Sequence, residues 1–313
     1  MTSYLLKRIL ATIPVMLFVA IFIFMLLRLT PGDPAAMLAG DFANDAQVAQ
    51  IRESLGLDQP LWKQFGLWIS DMLRFEFGQS FYYKKPVAEL IAQRIEPTLS
   101  LSLLTITLTV LIAVPLGTLA AYKQGSWMDR TIMGFSVLGF SIPVFVIGYA
   151  LVYLLSVKWG LLPVQGYQRI GDGVGGWLYR LILPSISLSV IFVAFIARMT
   201  RTSVLEVLGE DYVRTARAKG QTETRVLMRH ALRNAAVPIV TVIGLAIAIL
   251  IGGVVVTESV FTIPGLGLLT VEAVLNRDFP TIQAVILFFS VIYVAINLAI
   301  DVSYTLLDPR IRY

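Results

Sequence analysis

Residues 210–220 read Glu210-Asp211-Tyr212-Val213-Arg214-Thr215-Ala216-Arg217-Ala218-Lys219-Gly220, and ten residues later the chain reads His230-Ala231-Leu232-Arg233-Asn234. The stretch is polar, yet long apolar runs lie on both sides of it. Glu, Arg, Ala and Lys are good helix formers, and Gly220 sits where a helix would end, because glycine accepts the left-handed conformation of a helix cap. Thr222 is placed to cap a second helix, with Glu223 in its first turn, running toward Pro238. A short charged helix between two membrane spans needs a partner in water. Ala216 and Ala218 are small enough for a helix backbone to approach that partner closely, while Glu210, Arg214 and Lys219 offer charge at the rim.

The rest of the chain sets this loop in a membrane. Of its 313 residues 57% are hydrophobic and 14% charged, with a mean hydropathy of +0.78; soluble domains carry about 25% charge. Apolar residues come in blocks of span length rather than as helical stripes. The net charge of +5 therefore reads as a topology signal. Nucleic-acid binding would want a basic groove with aromatics, and no such grouping occurs. With no cysteine in the chain, disulfide frameworks, thiolate metal sites and cysteine nucleophiles are excluded.

Six uncharged runs, at 9–27, 97–122, 131–157, 181–197, 235–257 and 279–300, are each near or above the ~20 residues that cross the hydrocarbon core. The run at 181–197 is the shortest. A charge at mid-span costs roughly 2.5–3.5 kcal/mol on insertion scales, so long charge-free runs are informative. The expected fold class is all-α, a polytopic membrane protein with six transmembrane helices. The first run is longer than a signal-peptide core and no Ala-x-Ala site follows it, so it reads as an uncleaved span over 1–29 with a cytoplasmic N-terminus. That orientation places Lys7, Arg8, Lys123, Arg130, Arg198, Arg201, Arg214, Arg217, Lys219, Arg225, Arg229, Arg233, Arg310 and Arg312 inside. The two short outer loops hold only Lys158, Arg169, Arg180 and Arg277, the asymmetry expected of cytoplasmic loops. Both termini are then cytoplasmic.

The segment 30–96 is long enough for a small helical subdomain outside the membrane. Pro31-Gly32-Asp33-Pro34 is a turn, a helix ends at Gly56, and another runs from Leu61 to Phe75. A spacer and a role in receiving substrate fit this segment equally. The core then spans 97–313, with the polar loop at about 198–236. Ala113, Gly117 and Ala121, and likewise Gly244, Ala248 and Gly252, recur every four residues and mark close helix contacts, within the bundle or across subunits. Pro115, Pro143 and Pro184 can kink spans. Thr257-Glu258-Ser259-Val260-Phe261 and Pro264-Gly265-Leu266-Gly267 form the last outer loop; an interfacial acid and a substrate contact both fit Glu258. Asp301, near the inner end of the sixth span, is read as a helix-end acid in reach of interfacial water. Arg225, Arg229 and Arg233 share one helix face and repel by a few tenths of a kcal/mol per pair, which anionic headgroups or acids on a partner would offset.

Several chemistries are missing. No Gly-x-x-x-x-Gly-Lys-Ser/Thr phosphate loop occurs, and the glycine cluster Gly171-Asp172-Gly173-Val174-Gly175-Gly176 has no Lys-Ser/Thr after it. ATP has no such cradle in this chain. The single His230 rules out His-rich metal sites, no nucleophile–base–acid set has a credible location, and the expectation is a non-enzyme. Mid-span ionisable residues, which would favour an ion-coupled carrier or channel acting without an ATPase, are missing apart from Asp301. A membrane-anchored scaffold with no substrate path is a third reading.

The run 210–220 followed by His230-Ala231-Leu232-Arg233-Asn234 resembles the cytoplasmic loop of permease subunits in ATP-binding-cassette importers, in the wording of the peptide branch. Pro31-Gly32-Asp33-Pro34, Leu55-Gly56-Leu57-Asp58, Phe77-Gly78-Gln79-Ser80, Glu258 with Pro264 to Gly267, and the tail Asp308-Pro309-Arg310-Ile311-Arg312 are similar to that branch too, so the resemblance covers nearly the whole chain. It implies the type I importer permease fold in a bacterial cytoplasmic (inner) membrane. It also implies a heterodimer with a second homologous permease, two cytoplasmic ATPase subunits that bind ATP and Mg, and an extracytoplasmic substrate-binding protein. This chain itself would hold no cofactor or metal. Glu210, Asp211, Tyr212, Arg214, Thr215, Ala216, Arg217, Ala218, Lys219 and Gly220 would carry the coupling to the ATPase, with His230, Arg233 and Asn234 bracing the loop against the bundle. Relatives of this kind handle dipeptides, oligopeptides, glutathione or nickel complexes, and no residue here selects among them.

Overall fold

The computed structural model describes residues 2–29, 34–39, 44–54 and 56–307; the motif residues Pro31 to Asp33, Leu55 and the tail from Asp308 lie outside them. Among the described residues the only pairing of extended backbone is an isolated antiparallel bridge between Gln79 and Pro86. The rest is helix and turn. The helices are α1 (Thr2–Leu29), α2 (Pro34–Ala39), α3 (Asp45–Ser54), α4 (Leu61–Leu73), α5 (Val87–Tyr122), α6 (Trp127–Ser141), α7 (Val144–Leu151), α8 (Val174–Leu208), α9 (Asp211–Ala218), α10 (Glu223–Arg225), α11 (Ala236–Phe261), α12 (Leu266–Leu275) and α13 (Phe279–Leu307). The all-α polytopic class is observed: α1, α5, α8, α11 and α13 are each long and apolar enough to cross a membrane.

The third run departs from the expected single span. It is a bent pair, α6 and then α7 with its wider-wound continuation Val152–Lys158, and the two halves meet at 102°. The cause is Pro143. Its ring disfavours helical backbone at the residue before it, and Ile142 is extended at φ −95°, ψ 125°, while Pro143 itself opens α7 where its missing N–H is harmless. The shortest run differs the other way. The uncharged stretch 181–197 is only the middle of α8, a continuous helix of 35 residues with Pro184 buried inside it, about 52 Å long. Residues 257–261, expected in a loop, are the last turn of α11; the chain reverses only at Thr262, which is left-handed at φ 50°.

The chain divides into two compact units. In the first, Ile95–Leu268 with the chain from Ala295 onward, α8 is the central post. Its Leu181, Leu183, Leu188, Phe192 and Ile196 pack with Leu101 of α5 and with Leu250, Val254 and Phe261 of α11. In the first of the small-residue stripes Gly117 is a close backbone contact: a Cβ there would meet the Ala197 carbonyl and stand 2.7 Å from Thr200 Cβ. Ala113 and Ala121 are also buried, so this stripe is used within the bundle. The other stripe is used only in part, since Gly244 is filled by Ile300 whereas Gly252 faces open space. Asp301 is 8% exposed, so the expected water-facing helix-end acid is instead a buried one.

The second unit comprises Thr2–Arg94 and Leu269–Val294. Phe24 of α1 meets Phe65 and Trp68 of α4 at ring-centroid distances of 5.2 and 5.7 Å. The turn before α13 is tied by Asp278, fully buried, which accepts hydrogen bonds from Ser80 Oγ, from Thr281 Oγ1 at 2.7 Å and from the Phe81 N–H at 2.9 Å. Nearby, Tyr83 donates to Glu272, which also pairs with Arg94 at 2.9 Å. Burial first, and then the bond to Glu272, pushes the Tyr83 phenol up to about 12.

Candidate functional site

The polar loop folds as a knob on the end of α8. Gly209 ends α8, its N–H bonding the carbonyls of Leu205 and Glu206 at 3.3 and 3.1 Å. Glu210 then turns extended (φ −70°, ψ 147°) and leads into α9 without a side-chain cap. Asp211 supplies the acid of the first turn, favourable near the positive end of the helix. At the far end Gly220 is left-handed at φ 76°. Its N–H bonds the Arg217 carbonyl at 2.9 Å and the Gln221 N–H bonds the Ala216 carbonyl at 3.3 Å, which is the paired closure of a Schellman cap. The expected helix and its glycine stop are both present.

Burial within α9 decides which residues a partner could touch. Val213 is fully buried and Ala216 is 8% exposed, and both face inward. Ala216 therefore packs within this chain, contrary to its expected place on the partner face; only Ala218 of the two alanines is outward. The outward face is Asp211, Tyr212, Arg214, Thr215, Ala218 and Lys219, all exposed. Partial burial, then the Glu210 carboxylate, raises the Tyr212 phenol above its ordinary value. Arg214 pairs with Asp211 at 3.2 Å and Thr215 Oγ1 donates to the Asp211 carbonyl at 2.9 Å. Arg217 bridges forward to Glu223 at 2.9 and 3.3 Å, tying the end of α9 to the start of α10. Thr222 occupies the N-cap position of α10 with extended backbone but makes no side-chain cap bond.

The return limb runs through a wider-wound turn at Val226–Leu232. Val226, Ala231 and Ala235 are fully buried; Ala231 and Ala235 pack with Val204, Leu205, Val207 and Leu208 of α8 and with Leu227, Leu232 and Ile239. These small and apolar residues hold the loop. Arg233 and Asn234, expected as braces, are exposed, and His230 is half-buried. Asn234 Nδ2 donates to the His230 carbonyl at 2.6 Å, closing the limb on itself. Arg225, Arg229 and Arg233 are all exposed, with no ion pair to an acid of this chain among the described residues.

Three buried acids escaped the sequence reading or were read too blandly. Asp129 receives both prongs of the Arg201 guanidinium at 2.6 and 2.7 Å and the Gly125 N–H at 3.0 Å, while Ser126 caps α6 by accepting the Asp129 N–H at 3.3 Å. The local signal was Ser126-x-x-Asp129 ahead of an apolar run. Glu258 is fully buried at the end of α11. It accepts from Thr98 Oγ1 at 2.6 Å and from the Leu268 N–H at 2.9 Å, and a Cβ at Gly265 would collide with its carboxylate. The Pro264-Gly265-Leu266-Gly267 turn is thus moulded on Glu258, which is closed off from solvent within the fold. Asp278 sits just before Phe279-Pro280, the position of a helix N-cap.

These features define an all-α polytopic membrane protein that presents one short polar helix from the end of a central span. The family model described as binding-protein-dependent transport system inner membrane component matches residues 113–313, and that of the corresponding N-terminal membrane component matches residues 1–102. The chain belongs to this family and is the permease subunit of an importer. A probable peptide ABC transporter permease of Sinorhizobium fredii is 55% identical, with the whole of both chains covered. The glutathione transport system permease protein GsiC of Salmonella choleraesuis is 44% identical over the same full lengths. A chain of the MetNI methionine ABC transporter in an inward-facing conformation is 19% identical, with a TM-score of 0.58 over 70% of this chain and 96% of that one, which is a likeness of fold.

Proposed function

We propose that this chain forms half of the translocation path of an ATP-driven importer for di- or oligopeptides or related small solutes such as glutathione. The other half is a second, homologous permease. The chain is non-catalytic: two cytoplasmic ATPase subunits bind ATP and Mg, and an extracytoplasmic binding protein delivers the solute. Both termini lie in the cytoplasm, as the charge asymmetry of the loops favours, and the membrane is the bacterial inner membrane. The names of the full-length relatives support the solute class.

The observation that carries the coupling role is α9 itself. Val213 and Ala216 anchor it to the chain, and its opposite face, with Tyr212, Arg214, Thr215, Ala218 and Lys219, is left for a neighbour. Closure of the ATPase pair on ATP would pull this helix, and through Gly209 the whole of α8. The test is Gly220→Val in the assembled importer. No atom lies within 4 Å of a Cβ there, so the variant strains only the left-handed backbone, which a β-branched residue resists. Transport should fall while ATP hydrolysis continues. Normal transport with normal stimulated ATPase activity would overturn the coupling role, and uptake by the lone chain under an ion gradient would overturn the importer reading.

A further inference from the structure

We infer that α4 is an interfacial helix, lying in the plane of the membrane against the lipid at the C-terminal end of the first span. No feature of the transport reading requires this.

Depth is fixed at two points of α1. The uncharged run ends at Leu27 and Arg28 is the first charge after it, so Arg28 marks the edge of the hydrocarbon. Its guanidinium folds back over the Phe24 ring at 3.5 Å, donates to the Phe24 carbonyl at 3.3 Å, and also donates to Gln64 Oε1 of α4. A long cationic side chain at a span end behaves in this way, its stem in apolar surroundings and its head in a polar layer. Phe24, about 6 Å deeper along the helix, holds Phe65 and Trp68. Gln64 is therefore at headgroup level, and Phe65 and Trp68 lie just beneath it.

At that depth α4 has more apolar surface than α1 covers. Phe65, Trp68 and Met72 form the covered stripe. Beside it runs a second one, Trp62, Gly66, Ile69 and Leu73, at the i, i+4, i+7, i+11 spacing of one helix face. Trp62 and Leu73 are each 76% exposed, and Phe75, just past the helix, is 74% exposed. Lys63, Gln64, Ser70 and Asp71 occupy the opposite side, with Leu67 the one apolar residue among them. Large apolar side chains left bare in water are unfavourable. At the hydrocarbon edge the same face is satisfied by acyl chains, with tryptophan at the headgroup boundary where it is enriched. The occupant is lipid, and α4 anchors the segment between the first two spans to the membrane plane.

The chain has no cysteine, so a single introduced cysteine is the only thiol it carries and can be labelled in the isolated chain before it is assembled with its partners. The experiment puts a nitroxide at residues 69 and 73, and separately at 63 and 70, in the complete importer reconstituted in phosphatidylethanolamine–phosphatidylglycerol vesicles. Collision with oxygen, which partitions into lipid, is compared with collision with a water-soluble nickel chelate. The ratio should be several-fold higher for I69C and L73C than for K63C and S70C. Nickel access at 69 and 73 equal to that at 63 and 70 would place the face in water and overturn the inference. Protection of 69 and 73 from both reagents would also overturn it, by showing a protein subunit in the place of lipid.

Discussion

Replacing Asp129 with asparagine tests whether the loop-bearing end of α8 is pinned by charge. Arg201 lies seven residues before the end of α8, about 10 Å up the helix from the point where the chain turns toward α9. Both carboxylate oxygens of Asp129 are engaged by its guanidinium, and the side chains are 5% and 24% exposed respectively. Removing one partner of a fully buried pair costs about 3–5 kcal/mol. Water reaching Arg201 returns part of that, and asparagine keeps one acceptor, so the expected loss is roughly 2–3 kcal/mol. Arg201→Lys keeps the charge but loses the two-pronged geometry and should cost about half as much. The assay is thermal unfolding of the purified importer in detergent, followed by tryptophan fluorescence, where this loss corresponds to a drop of at least ~4 °C. Asp129→Asn with Arg201→Gln should melt higher than the two single losses predict, because no unpaired charge remains. A D129N protein that melts within about 1 °C of the parent would refute the reasoning.

Gly117→Val drives a side chain into the Ala197 carbonyl and Thr200, so it should destabilise by at least ~3 kcal/mol and lower transport, with Gly117→Ala in between; equal melting of all three would show the α5–α8 contact to be loose. Glu258→Ala strips Thr98 Oγ1 and the Leu268 N–H of their acceptor, at a cost of about 1–3 kcal/mol for each group left unsatisfied, and protease nicking near Gly265 should rise. Tyr83 ionises late because burial and the bond to Glu272 favour the neutral phenol. Its stabilising contribution is complete below the ordinary value of 10.0 and is lost as pH rises toward about 12. The difference in phenolate absorbance between the parent and Tyr83→Phe should therefore be centred near 12, and a difference centred at 10 would show that the phenol is not held.

What the sequence discloses and what it hides follow from how far each interaction reaches. Helical spans and the short α9 are local: runs without charge, a favourable composition and Gly220 are enough to place them. Ala216 and Ala218 show where a local reading misleads. Two residues apart, they stand on different sides of a helix, so both could not face one partner, and the position three residues from Val213 was the inward one. The break of the third run was announced by Pro143, but its angle depends on packing. The acid joints are long-range: Asp129 meets Arg201 across 72 residues and Asp278 meets Ser80 across 198. Each nevertheless carried a local mark, Ser126-x-x-Asp129 in one case and Asp278 ahead of Phe279-Pro280 in the other, that identifies a helix start if not its partner.

The distribution of polar groups along the spans bears on how a pull at α9 would travel. Asp129, Glu258 and Asp278 all sit at helix ends, where turn N–H groups and hydroxyls satisfy them. Between those ends, α8 meets its neighbours through apolar side chains and, at the close approaches, through small residues: Gly117 on one side, Gly148 beside Ser187, and Gly253 beside Leu188. Contacts of that kind let helix backbones approach and resist lateral separation, but they carry no directional bond along the helix axis. Bidentate charge pairs do fix direction. Under the proposed coupling, α9 moves α8 because Gly209 joins the two directly, and α6 follows because Asp129 grips Arg201. Nothing on the outward face of α9 can set how α6 responds. The Arg201 guanidinium, about two turns above the loop, is the directional link in that response, and so a variant there should alter transport per ATP even where α9 and its partner are left intact.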